Sequence, residues 1–179
     1  MSHFAVTTEK LAIAVARSAT GVLLLTSVHH AYGAYLYDTP WRLRVVSFSV
    51  LAASGIICSA LALRRWSGST MGRIAFWALT VLTLVIPIGL IGLFEGAYNH
   101  VIKNAVYFAG APSSLLNMLF PPSIYELPNS LFFEMTGVMQ LVAAAVTARQ
   151  LYRLLIDSRR TLSTRASQER ERRSYASTL

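Results

Sequence analysis

Residues 74–96 read IAFWALTVLTLVIPIGLIGLFEG, a run in which Glu95 is the only ionisable side chain. A run of about 18 or more apolar residues with few charges predicts a transmembrane helix. Three further runs of the same character lie at residues 11–37, 43–63 and 131–151. None of the four shows the alternation of apolar and polar residues that a membrane β-strand requires. The sequence therefore predicts an all-α integral membrane protein, a four-helix bundle.

The composition agrees with this class of protein. Hydrophobic residues make up 54% of the 179 residues and charged residues only 13%, whereas a soluble domain carries about 25% charged residues. Residues 1–156 are predicted to form one bundle domain without an internal repeat, followed by a basic tail at 157–179. The predicted helices cover about residues 11–37, 43–63, 74–107 and 130–153, with an outer loop at 109–129.

The basic residues predict how the bundle is oriented. Of the 16 Lys and Arg, 13 fall at one set of helix ends and in the tail: Lys10, Arg17, Arg64, Arg65, Arg73, Arg149, Arg153, Arg159, Arg160, Arg165, Arg170, Arg172 and Arg173. Only Arg42, Arg44 and Lys103 lie on the other side. The positive-inside rule therefore predicts cytoplasmic N and C termini in a multi-pass protein of the inner (plasma) membrane. The net charge of +8 then indicates contact with lipid headgroups of the bilayer rather than with nucleic acid.

Ionisable residues inside a membrane helix are costly and by default indicate a functional site. Such residues, with one amide, occur in three of the four predicted helices: His29, His30, Glu95, Asn99, His100 and Glu134. At a rise of about 1.5 Å per residue, His30 lies about 28 Å from Leu11, and Glu95 lies about 32 Å from Ile74. Glu134 is near the start of a helix that runs the opposite way. All of them are therefore expected at one level, near the outer face.

Two or three imidazoles and two carboxylates are suitable ligands for a divalent transition metal. The candidate metals are zinc, iron, manganese and copper. The predicted ligands are His29, His30, Glu95, His100 and Glu134, and the residues predicted to orient them are Asn99, Tyr98 and Tyr32. Glu95 and His100 are five residues apart, so both can reach one ion only where the helix is distorted. Cys58 is the single cysteine, which excludes a disulfide within the chain and a cysteine cage for the metal.

Other interpretations of the same residues remain open at this stage. A b-type haem could be held between His30 and His100, although two buried carboxylates beside a porphyrin would be costly. Histidine and tyrosine are also common at the membrane interface. In that case Glu95 would pair with Lys103 or Arg44, and a carboxylate in the first turn of the fourth helix would be stabilised by the helix dipole.

Two classes of function follow from these interpretations. The first is a membrane metalloprotein, with metal-dependent oxidation or hydrolysis of a membrane-associated substrate as the corresponding enzyme hypothesis. The second is a non-catalytic subunit or assembly factor, in which the polar residues contact other membrane subunits or a second copy of the chain. A transporter acting alone is not favoured, because four helices without a repeat offer no evident pathway.

Overall fold

The chain forms a helical bundle in a computed structural model that describes residues 3–122 and 124–176. The fold is 86% helical, and no strand occurs in that part of the chain. Four helices are long and apolar enough to cross a membrane: Thr7–Leu36, Pro40–Arg65, Thr70–Phe108 and Leu131–Arg160. The prediction of an all-α protein with four candidate membrane spans is therefore confirmed.

The helices follow one another with short connections. Helix α1 spans His3–Leu36, a single 3₁₀ turn covers Pro40–Arg42, and α2 spans Leu43–Arg65. The third spanning helix consists of α3 (Thr70–Thr83), a π-helical segment (Leu84–Ile102, called the π segment below) and α4 (Lys103–Phe108). A short helix, α5 (Ser113–Leu119), lies in the loop before α6 (Leu131–Ala176). Helix α6 passes residue 156 without a break.

The four candidate membrane spans form a ring, in which one pair of neighbouring segments makes few contacts. Helix α1 packs against α2 and α6, and α6 packs against the π segment. Helix α2 packs against α3 but makes few contacts with the π segment. The two therefore diverge in the half of the bundle that contains Glu95. The core of the other half is apolar and includes Val15, Ala19, Val22, Ile56, Leu79 and Leu154.

Glycines bring the π segment close to α6. A Cβ atom at Gly92 would lie 2.2 Å from Cβ of Ala144, and one at Gly96 would lie 2.6 Å from the backbone nitrogen of Leu141. Small residues at such positions let membrane helices approach closely, where dispersion replaces the missing hydrophobic effect. This contact aligns the polar residues of the third spanning helix with those at the start of α6.

The π segment explains how Glu95 and His100 come together. In an α-helix, residues five apart point about 140° away from each other. A π-helix has i→i+5 hydrogen bonds, so residue i+5 lies one turn above residue i. Pro87, inside the segment, has no N–H and interrupts an α-helical hydrogen-bond pattern. The distortion that the sequence required for a shared ion is thus present over the stretch that contains both residues.

Candidate metal centre

Three imidazoles surround one carboxylate oxygen. Oε1 of Glu95 lies 3.6 Å from Nε2 of His29, 3.6 Å from Nε2 of His30 and 3.7 Å from Nε2 of His100. The side chains of His29, His30 and His100 are at most 9% exposed and that of Glu95 is 17% exposed. The rings of His29 and His100 pack edge to face, with centroids 4.8 Å apart. Four potential ligand atoms therefore converge from α1 and the π segment, and the side chains of His29, His30, Glu95 and His100 are called the cluster below.

These separations suit ligands of one ion better than hydrogen-bonded partners. Ligands at about 2.1 Å from a tetrahedral ion lie about 3.4 Å from one another, whereas N–H···O hydrogen bonds are about 2.9 Å long. Potential ligand atoms of His29, Glu95 and His100 all lie within 4.8 Å of one another. These three residues form a group that could hold a metal ion, and His30 lies beside it on the side of a cavity.

The hydrogen bond at the back of the His29 ring determines which nitrogen faces the cluster. Nδ1 of His29 lies 2.9 Å from Oγ1 of Thr136, and that hydroxyl donates to the backbone carbonyls of Phe132 and Phe133. A hydroxyl has only one proton, so when it is directed at either carbonyl, Oγ1 of Thr136 accepts from Nδ1–H of His29. Nε2 then carries a lone pair directed at the cluster, and it has no hydrogen-bond partner among the described residues.

A carboxylate orients His100 in the same way. Nδ1 of His100 lies 2.8 Å from Oε2 of Glu134, and the carboxylate accepts the Nδ1 proton. Oε1 of Glu134 accepts from the Lys103 ammonium at 3.1 Å, and that ammonium also donates to the carbonyl of Glu126 at 2.7 Å. A carboxylate behind a ligating histidine fixes its tautomer and raises its basicity. Glu134 therefore lies behind the His100 ring, away from the point where the Nε2 atoms converge.

The predicted orienting residues occupy different positions. Nδ2 of Asn99 donates to Oε2 of Glu95 at 3.0 Å, which leaves Oε1 directed at the imidazoles. The Tyr98 hydroxyl donates to the carbonyl of Leu119 at 2.8 Å, on helix α5. The Tyr32 hydroxyl lies 3.4 Å from Oγ of Ser130. Asn99 thus orients a cluster residue directly, whereas the two tyrosines connect the spans to the outer loop and to the residue before α6.

Sequence reasoning missed several contributors. Thr136 was not selected because threonine is ordinary in a membrane helix, and only the contact with His29 distinguishes it. Phe133 stacks on His29 with ring centroids 4.1 Å apart. Lys103 is 2% exposed; the sequence raised it only as a possible partner of Glu95, and its ammonium pairs with Glu134 instead. Its spacing of three residues from His100 was the signal that could have connected it with the site.

A cavity of about 480 Å³ lies beside the cluster, next to His30, Glu95, Asn99 and His100. Its other walls come from the 3₁₀ turn, α2, the π segment and the loop before α6. In that loop, burial raises the pKa of the Tyr125 hydroxyl, so Tyr125 stays protonated at neutral pH. The cluster therefore has a packed side, formed by Thr136 and Glu134, and an accessible side at the cavity, which Phe133 also lines.

Comparison with known proteins gives no assignment: no family model, curated protein or solved structure matches this chain. The fold and the site nevertheless define a class. The protein is a membrane-like helical bundle with four candidate spans, and it contains a group of His29, Glu95 and His100, of which the two histidines are buried, that could hold a metal ion.

The hydroxyl of Thr136 provides a test of the ring orientation. We expect Thr136→Val to lower the affinity for a divalent metal about 10- to 100-fold, the usual effect of losing a partner behind a ligating histidine. The matched control is Thr147→Val on the same helix, whose hydroxyl donates only to the carbonyl of Ala143. Competition against a fluorescent chelator measures both affinities. Equal affinities in the two variants would show that the Nδ1 contact does not orient His29.

Proposed function

We propose that the protein binds one divalent transition-metal ion through Nε2 of His29, Nε2 of His100 and the carboxylate of Glu95. The observation that supports this most strongly is the convergence of Nε2 atoms on Oε1 of Glu95 at 3.6–3.7 Å. Two of the rings also have a polar partner at Nδ1, Thr136 for His29 and Glu134 for His100, which favours a lone pair on Nε2. In this proposal Glu134 orients His100 and is not itself a ligand.

The proposed site is of the catalytic kind. Catalytic zinc sites have three protein ligands and one accessible position, whereas structural sites are closed by four. Here the three-residue group is buried, and His30 lies where the cavity meets it. His30 is then either a fourth ligand or the group that carries a proton to and from the cavity. The enzyme hypothesis is a metal-dependent oxidation or hydrolysis of a membrane-associated substrate.

Two nitrogen ligands and one oxygen ligand suit zinc, iron, manganese and copper. The affinity of such a site for these divalent ions follows the order Mn²⁺ < Fe²⁺ < Cu²⁺ > Zn²⁺. A haem fits less well. Oε1 of Glu95 lies within 3.7 Å of Nε2 in both His30 and His100, so a carboxylate occupies the space in which a porphyrin would bind both rings. The two rings also approach the third imidazole of His29, at centroid distances of 5.2 and 4.8 Å.

Metal content tests the proposal directly. We expect the protein, expressed with ample metal and purified without chelator, to carry about one transition-metal ion per chain, measured by elemental analysis. A visible spectrum of the same sample should lack a Soret band. A Soret band would show that the bound cofactor is a haem and not a single metal ion. A folded protein without any metal would contradict both cofactor proposals. The remaining function would be that of a subunit or assembly factor, in contact with other membrane subunits or with its own copies.

We also propose that both termini are cytoplasmic and that the metal centre lies near the outer face of the inner membrane. The distribution of basic residues supports this orientation, with residues 1–156 as the membrane domain and 157–179 as the tail. In a Cys58→Ser background, a membrane-impermeant maleimide should label Ser113→Cys in intact cells and Ser67→Cys only after lysis. The reverse labelling pattern would show that the chain has the opposite orientation in the membrane.

A further inference from the structure

The cavity beside the cluster has two chemically different ends. The polar end contains Arg42, Lys103 and Glu126, together with Asn99 and Tyr125, beside the apolar side chains of Trp41 and Ile124. The apolar end has one polar lining residue, Thr26 of α1, and is otherwise lined by α2 and the π segment: Val45, Phe48, Leu90, Ile91 and Phe94. Since Leu90 precedes Glu95 by one π turn and Phe48 follows Arg42 by almost two α-helical turns, the apolar end lies deeper in the spans. The cavity is therefore amphipathic along the bundle axis.

The apolar end opens toward the lipid. Phe48, Leu90 and Phe94 line the cavity and are nevertheless 46%, 49% and 49% exposed. All three lie within candidate membrane spans, and they stand where α2 and the π segment make few contacts with each other. Exposed surface at this depth contacts hydrocarbon. A molecule dissolved in the bilayer can thus reach the cavity sideways between these two helices.

The polar end requires a hydrogen-bond donor. Oδ1 of Asn99 is buried and has no donor among the described residues, while Nδ2 of the same side chain is held by Glu95. A buried acceptor without a partner is destabilising. This oxygen has no accessible surface in the cavity, so a hydroxyl group can donate to it only when the Asn99 side chain turns toward the cavity. The same hydroxyl group can accept from the Tyr125 hydroxyl, because Tyr125 lines the same cavity.

The charges at the polar end exclude an anionic headgroup. Arg42 pairs with Glu126 at 3.6 Å, and Lys103 pairs with Glu134 at 3.1 Å. Both cations are therefore compensated, and an incoming carboxylate would also face the carboxylate of Glu95. A buried charge without a partner is strongly disfavoured, so a neutral headgroup fits this end.

From these features we infer that the substrate of the metal centre is a membrane-dissolved amphiphile with a neutral hydroxyl headgroup, an alcohol or a phenol on an apolar chain. Its hydroxyl lies beside Asn99 and the cluster, and its chain extends between Phe48 and Phe94 into the lipid. The volume of about 480 Å³ is within the range of about 300–1,000 Å³ for small-molecule sites. The inference rests on the proposed metal site for its chemistry, but its binding step depends only on the cavity.

Photolabelling in lipid nanodiscs tests this inference on the full-length protein. The probes are a long-chain alcohol with a diazirine in the chain, its methyl ether and an alkylphenol of equal length. We expect saturable labelling of peptides containing Phe48 or Phe94 by the alcohol, and labelling by the ether to be about tenfold weaker, which corresponds to about 1.4 kcal/mol. Competition between alcohol and phenol then identifies which of the two headgroups the cavity prefers.

A matched pair of variants tests whether the amphiphile enters the cavity between α2 and the π segment. Leu90→Trp fills the cavity wall and should reduce saturable labelling about tenfold. Leu93→Trp adds the same side chain on the lipid-facing surface, where Leu93 is 59% exposed and does not line the cavity, and should label like the wild type. Equal labelling by alcohol and ether, or in both variants, would overturn the inference.

Metal analysis of the same samples separates this inference from the proposed function. Bound metal without saturable labelling rejects the amphiphile and keeps the metal site. Saturable, hydroxyl-dependent labelling without metal keeps the binding step and rejects the amphiphile as the substrate of a metal centre.

Discussion

Glu95→Gln is expected to lower the affinity for a divalent metal by more than about 100-fold, beyond the effect of losing an orienting partner. Glutamine keeps the shape of the side chain and can still accept from Asn99, but it removes the only charge among the potential ligand atoms. Three neutral imidazoles would remain around an amide oxygen, which is a much weaker ligand for zinc, iron or copper than a carboxylate. Equilibrium dialysis followed by elemental analysis measures the affinity.

The control for this prediction is Glu126→Gln. Glu126 lines the same cavity and pairs with Arg42 at 3.6 Å, but its carboxylate makes no recorded contact with the imidazoles. We expect it to retain the wild-type metal content. Thermal unfolding of both variants without metal shows whether either has lost its fold. A Glu95→Gln protein that keeps stoichiometric metal through dialysis against a chelator would refute the assignment of Glu95 as a ligand.

Gly137→Ala is expected to disrupt the site from the other side of the bundle. A Cβ atom at residue 137 would lie 2.2 Å from Cγ and Cδ2 of His100 and 2.4 Å from its Nδ1. Contacts this short force the imidazole or helix α6 to move. The ring is 2% exposed and is held by Glu134, so a shift of either group strains this hydrogen bond. We expect a loss of about 1–3 kcal/mol in the free energy of unfolding and at least a tenfold loss of metal affinity.

Gly21→Ala makes the same change in helix α1, where nothing lies within 4 Å of the new methyl group. Replacing glycine by alanine inside a helix stabilises it by about 0.5–1 kcal/mol, so this control should unfold at a higher temperature than the wild type. Thermal unfolding in detergent, with and without added metal, compares the two variants. If Gly137→Ala binds metal and unfolds like the wild type, His100 does not occupy the position described above.

The sequence predicted which polar residues come together better than it predicted what each of them contacts. The level at which the polar residues meet followed from the rise per residue along each span, so His29, His30, Glu95 and His100 were identified together. It could not distinguish Glu95 from Glu134, because both are buried carboxylates at the same depth. The difference is whether the carboxylate faces Nε2 or Nδ1 of His100, and that depends on the rotation of α6 relative to the π segment.

The helical class and the number of candidate membrane spans were determined by the sequence alone, because a lipid bilayer accepts only long apolar segments whose backbone hydrogen bonds are internal. Three features were decided only by the tertiary structure. The i→i+5 geometry of Leu84–Ile102 placed His100 above Glu95, the packing of α1 on α6 brought Thr136 within hydrogen-bond distance of Nδ1 of His29, and the divergence of α2 from the π segment opened the cavity. Each depends on how whole helices are rotated and spaced, and hydropathy and residue spacing within one helix carry no information about that.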